Sequence, residues 1–215
     1  LVTEAYFSKF WATTGLAGKN FHRFAKARHH PDIPAPKAVR SYGAFVHSLQ
    51  ARYDRRKDSP HFAEADRLLS VKAGQVALAR GAPLLAYSYY ADAAFRMMEN
   101  SGLRRVLFQV HPNGKYLREL FQREIEKVPE ARASLMEETE MSPLFAHNDD
   151  TFVRSDAVIC ASSFTKHSLA SAGSQAPAHV VGYGVDLNLF SARTEAPVAK
   201  PLIVGFVGAL SQRKG

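Results

Sequence analysis

Four short apolar runs, each separated from the next by a segment of helix length or more, constrain this chain more than any other feature. They are PLLAYSYYA at 83–91, RVLFQV at 105–110, AVICA at 157–161 and HVV at 179–181. Strand, helix, strand in that rhythm is the signature of a parallel sheet with right-handed crossovers. Residues 1–10 add a strand running into a loop, and AVRSYGAFV adds another near 39–45. With about five or six strands in all, the expected fold class is α/β: a Rossmann-like parallel sheet with helices on both faces. No internal repeat or low-complexity tract interrupts the pattern.

The segments between the runs carry their own start and stop signals. Ser59 is placed to cap a helix that opens at Pro60 and is closed by Gly81 and Pro83. Within it Phe62, Ala65, Leu69, Ala73, Val76 and Ala79 recur at steps of three and four, the pattern of a buried stripe. A second helix is expected over about 91–101, before Gly102, and a third carries Leu117, Leu120, Phe121, Glu124, Ile125 and Val128 up to Pro129. Residues 130–146 read as a further helix or two with a solvated acidic face at Glu137, Glu138 and Glu140. Phe145, Phe152 and Val153 suggest a short helix before Asp156, and Ser162 or Ser163 caps FTKHSLASA, which Gly173 ends. Nearer the start, GKNFHRFAKARHH reads as a short basic helix that Pro31, Pro34 and Pro36 stop. A basic helical piece with Arg52, Arg55, Arg56 and Lys57 follows the strand near 39–45.

Composition adds bounds. With 46% hydrophobic residues, 215 residues hold a sizeable core. Lys and Arg outnumber Asp and Glu by 28 to 20, giving +8, a balance that admits nucleic acid, an anionic membrane surface or a phosphorylated ligand. The single cysteine, Cys160, excludes an internal disulfide and reads as a buried structural thiol in a reducing compartment. No apolar run approaches the ~20 residues of a membrane helix, so the expected location is cytoplasmic. The chain opens with Leu1 inside an apolar stretch, which reads as a fragment cut at both ends. Residues 1–190 form the expected first domain, without its first strand, and the polar, proline-bearing SARTEAPVAKP at 191–201 is the expected linker. The apolar run at 202–207 then opens a second domain over 202–215 as a strand buried on both faces.

Two loops carry residue types suited to ligand chemistry. His111 directly follows a strand, and the carboxyl ends of parallel strands are where ligands meet such sheets. An imidazole there hydrogen-bonds a ligand near neutral pH or serves the turn itself, and Lys115 brings a positive charge four residues on. Tyr87, Ser88, Tyr89 and Tyr90 end the neighbouring strand, where they line the same crevice or pack between sheet and helix. At the chain's end Gly208 stops an apolar run, and Arg213 and Lys214 follow it as a pair able to neutralise a diphosphate. His22, His29 and His30 sit among Arg and Lys, which repel cations, so no metal site is expected there.

In order, SDAVICASSFTKHSLASAG, HVVGYGVDLNLF, the linker and LIVGFVGALSQRKG resemble the central region of retaining glycosyltransferases with two facing Rossmann-like domains, the GT-B fold, in the family 4 group. Gly184, Val185, Asp186 and Phe190 match that family's "GVD…F" phrase, and Val207, Gly208, Leu210, Lys214 and Gly215 match its "VG.L…KG" phrase. Upstream, RVLFQVHP is similar to the family's strand that ends in a histidine beside the donor sugar. Gly182 and Tyr183 stand where Pro and Asn are commonest, and Ala209 replaces a diphosphate-binding arginine.

The resemblance implies a truncated GT-B N-terminal domain that holds the acceptor. It implies transfer of a sugar from a nucleotide-sugar substrate, with retention and no cofactor or metal. Gly208, Arg213 and Lys214 would bind the donor, His111 would orient it, and Tyr89, Tyr90 and Lys115 would meet a glycan or lipid-linked acceptor. The basic helix is either a solvated face or a peripheral contact with the inner face of an anionic membrane. Two rival readings stand beside it: a basic nucleic-acid-binding α/β module, and a non-catalytic sugar-binding remnant. The first lacks any RNP-like, KH-like or helix-turn-helix phrase, so no nucleic-acid partner is expected.

Overall fold

The computed structural model describes residues 6–8, 38–54, 59–135, 150–190, 205 and 207. Two short strands, β1 (Tyr6–Ser8) and β2 (Ala38–Arg40), pair in parallel as a sheet of their own. Helices α1 (Tyr42–Asp54) and α2 (Pro60–Arg80) follow, packed along one another. The main sheet is four-stranded and parallel: β3 (Leu84–Tyr87), β4 (Arg105–Gln109), β5 (Ala157–Cys160) and β6 (Ala178–Val180), in that spatial order. Helix α3 (Asp92–Met98) joins β3 to β4, α4 (Gly114–Lys127) follows β4, and α5 (Ser163–Ser171) joins β5 to β6. The α/β class and the βα rhythm are thus present, but the six described strands form two sheets instead of one.

The helix ends follow their sequence signals, with instructive exceptions. Gly81 closes α2 in the left-handed region at φ 59°, a conformation costly for any residue with a Cβ, and its N–H bonds back to Ala77 and Leu78 carbonyls. Pro60 occupies the first turn, where its missing N–H is no loss. Ser59 stands before it yet makes no side-chain cap, and its buried hydroxyl has no partner among the described residues. The strand expected near 39–45 ends at Arg40, because the Ser41 hydroxyl accepts the Ala44 N–H at 3.3 Å and opens α1 instead. The short helix expected before Asp156 is a 3-10 turn, Thr151–Arg154, that buries Phe152 and exposes Val153.

One face of the main sheet is the core. Leu84, Leu107, Val158 and Cys160 point into it and meet Ala73 and Ala77 of α2, Phe95 and Met98 of α3, and Leu169 of α5. The expected stripe on α2 is met at Ala65, Leu69 and Ala73 but turns at its ends: Ala77 is buried, whereas Phe62 and Ala79 are exposed. Alternation puts Leu85 and Tyr87 on the sheet's other face, where they are 51% and 52% exposed. Helices were expected on both faces; α2, α3 and α5 cover the first, and on the second Val106, Phe108 and Ile159 are half-buried, with the Tyr183 ring against Phe108.

Candidate functional site

The carboxyl ends of β3, β4 and β5 lie side by side, since Tyr87 pairs with Phe108 and Phe108 with Ile159. Each strand passes there into a different device. After β3 the chain tightens into a 3-10 turn, Ser88–Tyr90. After β4 it runs through His111 and Pro112 to Asn113, whose side chain caps α4 by accepting the Tyr116 N–H at 3.2 Å. After β5, Ser162 caps α5 by accepting the Thr165 N–H at 3.1 Å. The loop expected at 111–115 is therefore shorter than read, because the Asn113 cap starts the helix at Gly114 and puts Lys115, exposed, in its first turn.

The structure divides the tyrosine cluster in three. Tyr87 lies on the open face against Phe108, ring centres 5.0 Å apart. Tyr89 turns to His111, with ring centres 5.7 Å apart and planes tilted by 51°. Tyr90 instead packs into the α1–α2 cluster of Ala44, Ala65 and Leu69. Burial pushes the Tyr89 phenol up to about 12, and neighbouring Tyr90 and Tyr183 add to the shift. Burial also raises the Tyr90 phenol, with Asp66 nearby contributing. Both phenols thus remain neutral hydrogen-bonding groups at physiological pH.

His111 is exposed, and its backbone is held from below: the Gln109 side-chain amide donates to the His111 carbonyl at 2.7 Å. Gln109, only 6% exposed, was not read as a site residue; its signal is a polar residue at a core-facing strand position. Tyr183 was also missed as a contact. It stands in the "GYGVD" phrase, edge-on to Phe108 at 6.5 Å and close enough to raise the Tyr89 phenol. Beyond it Asp186 shapes its own turn, with its carboxylate accepting the Asn188 N–H at 2.9 Å and its carbonyl accepting from Leu189 and Phe190. Ser88, read with the tyrosines at the strand end, is 1% exposed, and its hydroxyl has no partner among the described residues.

The edge is electropositive by construction. Helices α4 and α5 both begin there, and neither has an acidic residue in its first turn. The start of α4 is tied to the body of α5, since the Asn113 N–H donates to the Ser168 hydroxyl at 2.9 Å. An exposed imidazole, a neutral phenol and two helix N-termini suit a hydroxylated or anionic ligand. Cys160 does not join them: it is fully buried, and burial raises its thiol, so it is no thiolate nucleophile. Among the described residues no group of three His, Cys, Asp or Glu side chains is arranged to hold a metal ion, and no helix is long and apolar enough to cross a membrane.

Gly208, Arg213 and Lys214 lie outside the described residues, as do the linker at 191–201 and His22, His29 and His30. Gly205 and Val207, the described part of the terminal apolar run, are exposed and outside any strand. The buried strand expected at 202–207 is not met at these positions, because no described strand pairs with them. No protein-family model, curated protein or solved structure matches this chain.

Proposed function

We propose that this chain is the acceptor-side, Rossmann-like part of a retaining GT-B glycosyltransferase, which moves a sugar from a nucleotide-sugar donor to a glycan or lipid-linked acceptor in the cytoplasm. The observation that carries the reading is the meeting of His111, Tyr89 and Tyr183 at the carboxyl edge of a parallel sheet. The edge joins the two stretches of sequence that resemble that family, RVLFQVHP and HVVGYGVDLNLF. In this reading His111 hydrogen-bonds the donor's sugar hydroxyls and Tyr89 presents a ring and a hydroxyl to the acceptor, with exposed Lys115 at the rim. Gly208, Arg213 and Lys214 take the nucleotide and its diphosphate. Departure of the diphosphate leaves an oxocarbenium-like sugar, so cations at the leaving group lower the barrier without a metal.

The test is transfer by a protein in which this chain continues through a donor-binding domain, assayed against a panel of nucleotide sugars. His111→Ala is expected to lower kcat/KM about tenfold or more while leaving the fold intact by circular dichroism. A protein with no transfer or hydrolysis on the whole panel, or a variant with unchanged kcat/KM, sinks the reading.

A further inference from the structure

Helix α5 sends its side chains in two directions. Thr165, Ser168 and Leu169 are buried, whereas Ser163, Phe164 and His167 are exposed. His167 follows Ser163 by four residues and Phe164 by three, so the three share one face of the helix. Tyr116, half-buried in the first turn of α4, stands against that face. Its ring centre is 5.9 Å from that of Phe164 and 5.7 Å from that of His167, with planes inclined at 70° and 88°. Rings that meet near right angles make a corner instead of a stack. Phe164 remains 45% exposed, so one wall of the corner is apolar and open.

We infer that Tyr116, Phe164 and His167 form a second sugar subsite, for a pyranose that carries a phosphate or a carboxylate. It lies one strand along the carboxyl edge from the Tyr89–His111 pair, since that pair follows β3 and β4 and this corner follows β4 and β5. The inference rests on the proposed function for naming that sugar as part of the acceptor. A pyranose has apolar C–H faces and a rim of hydroxyls. One face lies on the Phe164 ring, and the rim reaches the His167 imidazole and the Ser163 hydroxyl.

The charge of the guest follows from its surroundings. Lys115 and Lys166, both exposed, stand next in sequence to Tyr116 and His167, and α5 carries no acidic residue. A single-stranded nucleic acid fits less well, because it needs successive ring faces along a continuous basic groove. Here the three rings crowd one corner, and beyond it Arg118, Glu119, Arg123 and Glu124 alternate in sign along α4.

Amide NMR of the full chain, titrated with glucose-6-phosphate, glucuronic acid and methyl glucoside and no donor, reads binding apart from transfer. The signals of Tyr116, Phe164 and His167 are expected to shift, with both charged sugars binding more tightly than methyl glucoside. The tighter of the two identifies the charged group as phosphate or carboxylate. Phe164→Ala is expected to weaken binding about fivefold with Tm within ~2 °C of wild type, while Phe164→Tyr, which keeps the ring, retains it. Lys166→Gln, a surface change that tests the subsite even if Phe164→Ala fails to fold, weakens the charged sugars alone. No shift at these residues with any of the three sugars overturns the inference, as does methyl glucoside binding as tightly as the charged pair. A uridine decanucleotide that binds through the same amides more tightly than either charged sugar also overturns it. Binding here without transfer by the donor-domain-bearing protein would remove the proposed function and keep a sugar site; transfer with an acceptor KM unchanged by Phe164→Ala would remove the subsite and keep the function.

Discussion

Arg105 and Asp156 close the amino ends of β4 and β5, opposite the candidate site. The Asp156 carboxylate accepts from the Arg105 backbone N–H at 2.7 Å and from its guanidinium at 2.9 Å. These hydrogen bonds hold the Asp156 carboxyl below its usual range, against the opposing effect of its partial burial. Asp156 is 40% exposed, so solvent screens the pair, and Asp156→Asn is expected to cost about 1 kcal/mol near neutral pH. A carboxyl with a lowered folded pKa stabilises above the ordinary value of ~3.9 and loses that contribution as pH falls through its folded value. Urea unfolding at pH 7 and pH 3 should therefore show the gap between wild type and variant shrinking in acid. Residue type and position made His111 and Lys115 visible in the sequence, but not direction. Tyr87, Tyr89 and Tyr90 look alike in a string, and only the 3-10 turn after β3 sends them to the open face, to His111 and to the α1–α2 seam.

At the level of elements, local chemistry was mostly legible because caps and breakers act over a few residues. Gly81, Pro60 and Ser162 stand where they were read. Where two local signals compete, the string does not say which prevails: AVRSYGAFV carries Val39, Tyr42, Phe45 and Val46, all suited to a strand, yet Ser41 turns its second half into helix. Asn113 is the counterpart after β4, a cap within what looked like a loop. Its side chain is nearly buried and starts α4, while its N–H ties that start to α5. Asn113→Ala is expected to cost about 1 kcal/mol and to lower Tm by about 2–4 °C, with Asn113→Asp retaining most of the cap. Thermal unfolding of the pair measures this, and equal Tm values for Ala and Asp would argue that the cap contributes nothing.

For the whole molecule, the parallel sheet followed from the βα rhythm, but the division of strands between two sheets did not. Pairing partners distant in sequence leave no periodic trace in either strand. The candidate site was half legible: the strand ends and the 87–90 cluster pointed to it, while Gln109 and Tyr183 join it only through register and turn geometry. In the proposed enzyme the diphosphate rests on cations past the described residues, and Ala209 removes an arginine the resemblance would place there. Lys214→Ala in an active, donor-domain-bearing protein is expected to raise the transfer barrier by at least ~2 kcal/mol, read as kcat in the nucleotide-sugar assay. An unchanged kcat would assign the leaving group to Arg213. The spatial order of β3, β4, β5 and β6 repeats their order along the chain. Each new strand finds its only earlier partner already in place, so the sheet can grow one strand at a time as the polypeptide leaves the ribosome, without holding any strand in reserve.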